Sequence, residues 1–307
     1  MIANDSMTRG SGGTLEAVLS LLHADAPEQI VGAPQDWPRW AVLLPHVLAA
    51  ASHFDSLSGQ AQRAAGADAS WLLDRAASFL KVHARLADAR PLAERALVID
   101  EAAFGRDHPS VAVRLSNLAT ILRELGQLDE ARPLAERALV ISEAALGADH
   151  PSVAISLGNL AGILADLGQA AVARPLAERA LAIDEAAYGP NHPAVAVSLA
   201  GLATIMYDLG EPAVARPLAE RAMAISEAAY GPDHPTVAIR LSNLAFILRE
   251  LEGTAVAWPL AERALAISEA AYGPDHPTVA ALRANLGFLA SGQEQSDRPE
   301  GDGDDSA

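Results

Sequence analysis

Five histidines, His108, His150, His192, His234 and His276, each precede a proline and follow one another at a constant interval of 42 residues. Imidazoles in series suggest a metal centre. Geometry opposes it: equivalent atoms of stacked helical repeats lie roughly 10 Å apart, the spacing of packed helix axes, whereas zinc holds its ligands at about 2 Å. The spacing predicts no metal site. A second series, Asn117, Asn159, Asn243 and Asn285, keeps the same beat, with Arg75 and Gly201 at two further positions of the register. Asparagine inside a helix is several tenths of a kcal/mol less favourable than alanine, so either function or simple duplication must account for the series. No catalytic constellation accompanies these residues. Ser156 and Ser198 stand in no recognisable nucleophile, base and orienting-acid arrangement. The sequence also holds no Gly-x-x-x-x-Gly-Lys-Ser/Thr loop to cradle phosphates, and its single lysine, Lys81, is far from any glycine-rich turn. The chain is expected to be no enzyme, to need no cofactor and not to hydrolyse ATP.

The elements that carry these residues follow from the same beat. The heptapeptide Arg-Pro-Leu-Ala-Glu-Arg-Ala begins at Arg90, Arg132, Arg174 and Arg216 and returns with Trp258 in place of arginine; a period of this length marks stacked repeats. Val111, Leu115, Leu118, Leu122 and Leu125 are spaced by four, three, four and three, the apolar stripe of one helix, A. Gly126 breaks it, and Leu128, Ala131, Leu134, Ala135, Ala138 and Ile141 form the stripe of a second helix, B, which stops near Gly147. Glycine suits the left-handed residue after a helix. Asp107, Asp149, Asn191, Asp233 and Asp275 are expected to N-cap the following A helix, with proline in its first turn. A helices are predicted near 68–83, 108–125, 150–167, 192–209, 234–251 and 276–290, alternating with five B helices, so that an all-α repeat array fills 68–290. Around it the reading places a disordered N-terminus (1–13), a helical segment (14–56), a linker (57–67) and a disordered acidic tail (291–307). Arg132 with Glu136, and their equivalents, read as i, i+4 surface pairs worth about 0.2–0.5 kcal/mol each. In the last A helix Leu282-Arg283 inverts the order of Arg240-Leu241, which suits a capping helix without an apolar outer face.

Half of the chain is apolar but only 4% is aromatic, a composition for closely packed helices. No apolar run approaches the roughly 18 residues of a membrane-spanning helix, and the start lacks the order of a signal peptide. The reading is cytoplasmic. Zero cysteines exclude a disulfide framework and thiolate metal sites. The formal charge is −17, and six acids against Arg298 alone lie between Ser291 and Ala307. The body without that tail is still acidic and should repel nucleic-acid phosphates. Neither nucleic acid nor membrane is an expected partner.

Leu118, Ala119, Leu122, Gly126, Leu128, Ala131 and Ala138 fall where the tetratricopeptide repeat places its small and large packing residues. The array resembles that family. Its 42-residue period and the strings Gly-Pro-Asp-His-Pro-Thr-Val-Ala and Leu-Ser-Asn-Leu-Ala resemble the kinesin light chain subclass. The resemblance implies a right-handed superhelical solenoid of stacked antiparallel helix pairs, whose A helices line a concave groove for an extended peptide or helical segment of a protein partner. It also gives the asparagines a role, since Asn117, Asn159, Asn243 and Asn285 match the residue that pairs with ligand backbone. Arg114, Arg123, Arg240 and Arg249 are then expected on or near the groove, where guanidinium groups can grip carboxylates. Glu124, Asp166, Asp208 and Glu250 line the other margin, which leaves the sign of the ligand open. Thr120, Tyr207, Phe246 and Phe288 offer specificity pockets or plain packing. Residues 26–54, with Pro-Gln-Asp-Trp-Pro-Arg-Trp and Leu-Leu-Pro-His-Val-Leu-Ala-Ala, resemble the segment that joins the nucleotide-binding switch of bacterial STAND (NB-ARC-type) ATPases to their C-terminal repeats. Two functions are therefore expected: an interaction scaffold, or a sensor fragment of such an ATPase that lacks the nucleotide-binding domain.

Overall fold

The computed structural model describes residues 3–30 and 32–296, with side chains for 13–30 and 32–289. Its regular structure is thirteen α-helices and a short 3-10 turn, Pro34–Asp36, with no strand among the described residues. The chain divides into two compact units, Met1–Pro190 and Asn191–Ala307. The first holds α1 (Ala3–Asp25), α2 (Trp37–Phe54), α3 (Gly59–Val82), α4 (Leu86–Phe104), α5 (Pro109–Glu124), α6 (Leu128–Leu146), α7 (Pro151–Asp166) and α8 (Ala170–Tyr188). The second holds α9 (Pro193–Asp208), α10 (Pro212–Tyr230), α11 (Pro235–Glu252), α12 (Thr254–Tyr272) and α13 (Pro277–Ser296). The A helices are α3, α5 and α7 in the first unit and α9, α11 and α13 in the second; B helices alternate with them. Within each unit neighbouring helices pack, and α3 also touches α5, α5 touches α7, and α9 touches α11.

The apolar stripes meet as their spacing requires. Val111, Ala112 and Leu115 of α5 pack on Ala138 and Ile141 of α6, and Val153, Ala154 and Leu157 of α7 repeat the arrangement with Ala180 and Ile183 of α8. In the second unit Val237, Ala238 and Leu241 meet Ala264 and Ile267, and Leu282 of α13 closes that cluster. Each fully buried Leu or Ile contributes about 1.5–3 kcal/mol, while alanine at every third or fourth site lets the axes approach. Arg283, next to Leu282, points outward and pairs with Glu269 at 2.7 Å.

The second arginine of the repeated heptapeptide has a role that its spacing did not reveal. Arg137 bonds Glu101 at 2.6 Å and the carbonyl of Arg106 at 2.7 Å, and Arg179 does the same with Glu143 and the carbonyl of Ala148. Each latches one B helix to the preceding B helix and its following loop. The expected i, i+4 pairs are present as well, Arg132–Glu136 at 2.7 Å and Arg174–Glu178 at 2.8 Å.

Helix ends differ from expectation in one respect. The aspartates and asparagine expected as N-caps do not cap; the following histidine does. Nδ1 of His150 accepts the N–H of Ser152 at 3.1 Å, and His108, His192, His234 and His276 repeat the bond at 3.2 Å to Ser110, Ala194, Thr236 and Thr278. An imidazole nitrogen lies one residue closer to the first helical turn than the aspartate oxygen does, and the ring gains a second contact. Phe104 stacks on His108, and Tyr230 on His234, with centroids 4.7 and 4.8 Å apart. At the other end of α5, Gly126 adopts φ +75 and Gln127 N–H reaches back to the carbonyl of Leu122 at 2.8 Å. Gly147, at φ 90 and ψ 153, is not left-handed helical but extended with positive φ, a region open essentially to glycine alone.

The boundaries shift at the flanks. Residues 59–67, expected as linker, belong to α3, because Ser58 caps its start and Ala65, Gly66 and Ala69 are buried on the same face as Leu72 and Leu73. Helix α1 begins at Ala3, ahead of the helical start expected at residue 14, and α13 continues past 290 to Ser296. No proline interrupts either stretch, and once a turn exists each added residue needs only its own hydrogen bond. The acidic segment from 297 onward lies outside the described residues. No helix among the described residues is long and apolar enough to cross a membrane.

Candidate interaction faces on the A helices

Burial turns α5, α7, α9 and α11 so that one side of each meets solvent. That side carries Val113, Asn117, Thr120 and Glu124 on α5, and Ile155, Asn159, Gly162 and Asp166 on α7. In the second unit it carries Val197, Gly201, Thr204 and Asp208 on α9, and Ile239, Asn243, Phe246 and Glu250 on α11. The aliphatic row was missed in the sequence reading. Ile155 is 62% exposed and Val197 60%, although both are β-branched and apolar. Their signal was available: each stands two residues after a buried valine and off the apolar stripe.

The asparagines share this side but not one environment. Asn117 is half-buried and donates to both carboxylate oxygens of Asp74, at 2.8 and 3.0 Å. Asn159, Asn243 and Asn285 are half-buried, and their amides make no hydrogen bond among the described residues. Thr120 turns its hydroxyl back to the carbonyl of Ser116 at 2.9 Å, and Tyr207 is half-buried on α9.

The four arginines separate by unit. Arg114 is not on the solvent side. It sits in the seam against α3 and α4, 7% exposed, where Nε donates to Asp100 at 2.9 Å and Nη1 lies 3.0 Å from Asp74. Asp74 and Asp100 are themselves buried, and Asp74 also receives Arg75 at 3.0 Å. Residue 114 follows Val111 and precedes Leu115, both fully buried, so the helix aims it at its neighbours rather than at solvent. Arg123 is committed too, bidentate to Asp166 at 2.6 and 3.1 Å across the bare Gly162, and Lys81 makes the matching contact to Glu124 at 3.1 Å.

In the second unit the same positions are occupied by Arg240 and Arg249, and neither pairs with a carboxylate among the described residues. Arg240 Nε is buried without a hydrogen-bond partner, and burial lowers the guanidinium pKa from its ordinary value, an effect that Tyr230 opposes. Arg249 lies over the rings of Phe246 and Phe288, 5.9 and 4.7 Å from their centroids. Phe288 is 59% exposed.

The first unit also has a recess of about 250 Å³ lined by Glu28, Gln29, Ile30, Arg75, Ser78, Lys81, Asn117, Thr120 and Ile121. Its rim is the loop between α1 and α2, held by two indoles: Trp37 Nε1 donates to the Ile30 carbonyl at 2.9 Å, and Trp40 Nε1 to that of Pro27 at 3.0 Å. Arg75, in register with the asparagines, donates to the carbonyl of Glu28 at 3.3 Å. A register position of an A helix thus already grips irregular backbone.

Among the described residues no three histidine, aspartate or glutamate side chains converge as metal ligands. The five histidines are spent on caps and stacking. What remains, within each unit, is a set of paired helices whose A helices carry amides and aliphatic side chains on their solvent sides, the make-up of a helical-repeat protein. The family model of the tetratricopeptide repeat matches residues 68–144, 113–186, 152–228 and 202–270, together about two thirds of the chain. The protein belongs to the tetratricopeptide repeat family. A comparison with curated proteins returned no significant match. Among solved structures, the nearly identical TPR-like repeats of a provisionally named kinesin light chain from Podosopora anserina are 26% identical, with a TM-score of 0.50 over 64% of this chain and 93% of that one. BtubC (BKLC) from P. vanneervenii is 21% identical, with a TM-score of 0.55 over 77% and 92%. A Rap protein complexed with Competence and Sporulation Factor is 15% identical, with a TM-score of 0.63 over 84% and 69%.

Proposed function

We propose that the chain is a non-enzymatic interaction scaffold whose A-helix sides form the concave groove and bind an extended segment of a partner protein. The observation that carries this reading is the bond from Arg75 to the Glu28 carbonyl: the first register position holds a backbone acceptor of an irregular segment, as the asparagines would hold a ligand's. Asn159, Asn243 and Asn285 keep donor and acceptor available, and Ile155, Val197 and Ile239 offer apolar contact beside them. Asn117 is already engaged by Asp74 and contributes to positioning instead. Each new amide bond adds roughly 0.5–1.5 kcal/mol net, so replacing Asn243 and Asn285, both in the second unit, by alanine should weaken a captured partner about tenfold. Melting of the helices should stay nearly unchanged. Capture from the native host, cross-linking and titration of the double variant test this; unchanged affinity would move the ligand to the B helices.

A second reading, a sensor fragment acting with a STAND-type nucleotide-binding chain, rests on the resemblance of residues 26–54. It draws support from the packing of α1 and α2 directly on α3, which makes that segment continuous with the first repeat. Co-purification with a chain that carries a phosphate-binding loop is its test, and capture of unrelated partners alone would count against it.

A further inference from the structure

The helices ahead of the repeats share an apolar surface that meets solvent. Arg39 of α2 pairs with Asp25 of α1, which pins the end of one helix to the start of the other, and the two helices pack along their lengths. Residues one turn on in α2 and one turn back in α1 therefore lie side by side. These are Val42 and Leu21, 55% and 70% exposed. One turn further stand His46 and Val18, with Pro45 and Ala49 exposed beside them. The opposite sides are already filled, by Leu19 of α1 and by Trp40, Leu43 and Val47 of α2, so neither helix can turn this set inward. Single aliphatic side chains at a surface are ordinary; a contiguous group free of charge is not. No residue from Trp40 to Phe54 is an aspartate, glutamate, lysine or arginine, and Asp25 and Arg39 neutralise each other at the rim. On a B helix, by contrast, Val140 is 64% exposed but stands one turn from both Glu136 and Glu143.

We propose that this α1–α2 side is the interface of a homodimer, a second copy of the chain being its occupant. Charge selects the occupant. A chain of formal charge −17 repels its own copies over most of its surface, so self-association needs a face without net charge, and this one has none. A lipid surface is disfavoured by the same count, since the patch offers anionic headgroups no lysine and only an arginine that is already paired. Size agrees. The 18 residues of α2 span about 27 Å, and a second helix about 10 Å away widens the face to roughly 20 Å. The projected area is roughly 500 Å², and more when side-chain relief is included, against about 800 Å² per partner in a standard interface. The dimer is therefore reversible. Its interface is isologous: a two-fold axis through the patch packs Leu21 and Val42 of each copy on α2 of the other. Two copies then offer a partner two sets of A-helix sides, and the second contact becomes intramolecular.

The test uses the full chain without any peptide, so its outcome is independent of the scaffold reading. Sedimentation equilibrium is expected to show monomer and dimer in exchange at micromolar concentration. Leu21→Glu combined with Val42→Glu brings like charges together across the axis and should raise the dissociation constant at least tenfold. The melting temperature of the dilute monomer should stay nearly unchanged, because both positions face water. The chain has no cysteine of its own, so a single introduced thiol reports proximity. Val42→Cys should cross-link the dimer through a short bismaleimide, and the equally exposed Val140→Cys should not; this arm decides even if the double glutamate variant fails to fold. A monomer at every concentration overturns the proposal. So does a dimer that keeps its affinity in the glutamate variant, or one that cross-links as readily through Val140→Cys. If the monomer instead sediments with phosphatidylcholine vesicles and Leu21→Glu abolishes this, the occupant is a membrane surface and the second copy is overturned.

Discussion

Arg114 Nε donates to Asp100 across 2.9 Å, and both side chains are almost wholly removed from water. With Asp74 on the other side of the guanidinium, one cation compensates two buried carboxylates, helped by Arg75. Removing Arg114 strands Asp100 and leaves Asp74 with Arg75 and Asn117 alone. Arg114→Ala is expected to destabilise the first unit by about 3–5 kcal/mol, the cost of breaking a buried pair, as measured by urea unfolding followed by circular dichroism. Addition of Asp74→Asn and Asp100→Asn should recover part of the loss. A loss under about 1 kcal/mol would mean that water reaches the cluster.

The histidine caps predict a specific substitution series. His150→Ala removes the acceptor for Ser152 N–H and should cost about 0.5–2 kcal/mol, while His150→Asn retains a capping oxygen and should cost less. Equal losses for the two variants would assign the stabilisation to ring packing rather than to the cap.

Ala84 occupies the left-handed position after α3, at φ 55, which glycine takes at residues 126, 168 and 210 after the next three A helices. A Cβ there is strained, whereas glycine adopts the conformation freely but loses more entropy on folding. The first effect is the larger. Ala84→Gly should raise stability by about 0.5–1 kcal/mol, read as a higher urea midpoint, and a decrease would show that the strain is already relieved elsewhere.

Burial raises the Tyr272 hydroxyl pKa above its ordinary value of 10.0. As pH climbs past about 10 the unfolded chain ionises first, so the folded state binds more protons and stability falls with pH. The stabilising contribution is complete below that point and lost as pH rises through the folded value. Tyr272→Phe should therefore flatten the alkaline decline of the melting temperature and leave it nearly unchanged at neutral pH. An unaltered slope would show that the ring oxygen is hydrated.

Much of the fold was legible because it is local. The stripe from Val111 to Leu125, the break at Gly126 and the stop at Gly147 depend on helix period and backbone freedom, and each recurs at a fixed interval. The start of α3 was not legible, since Gln60 to Asp68 lack large apolar residues; burial of the small Ala65 and Gly66 against α4 decides it. The caps were misassigned because Asp107 and His108 are adjacent, and both types offer an acceptor. Only the direction of the chain entering α5 selects the imidazole.

The candidate site divides in the same way. Sequence alone determined that Asn159 and Asn243 share a register and that no phosphate loop is present, because both are statements about spacing along one chain. It could not separate Arg114 from Arg240, which are identical in type and position within the repeat. Their difference lies in residues 14 and 40 positions earlier, Asp100 and Asp74 in one unit, Ser226 and Ala200 in the other. Only the packing of an A helix against its preceding A and B helices brings those positions to the guanidinium. Electrostatic pairing falls off with distance in space rather than with separation in sequence, and so the tertiary structure decides which arginine is neutralised by buried carboxylates and which meets none among the described residues.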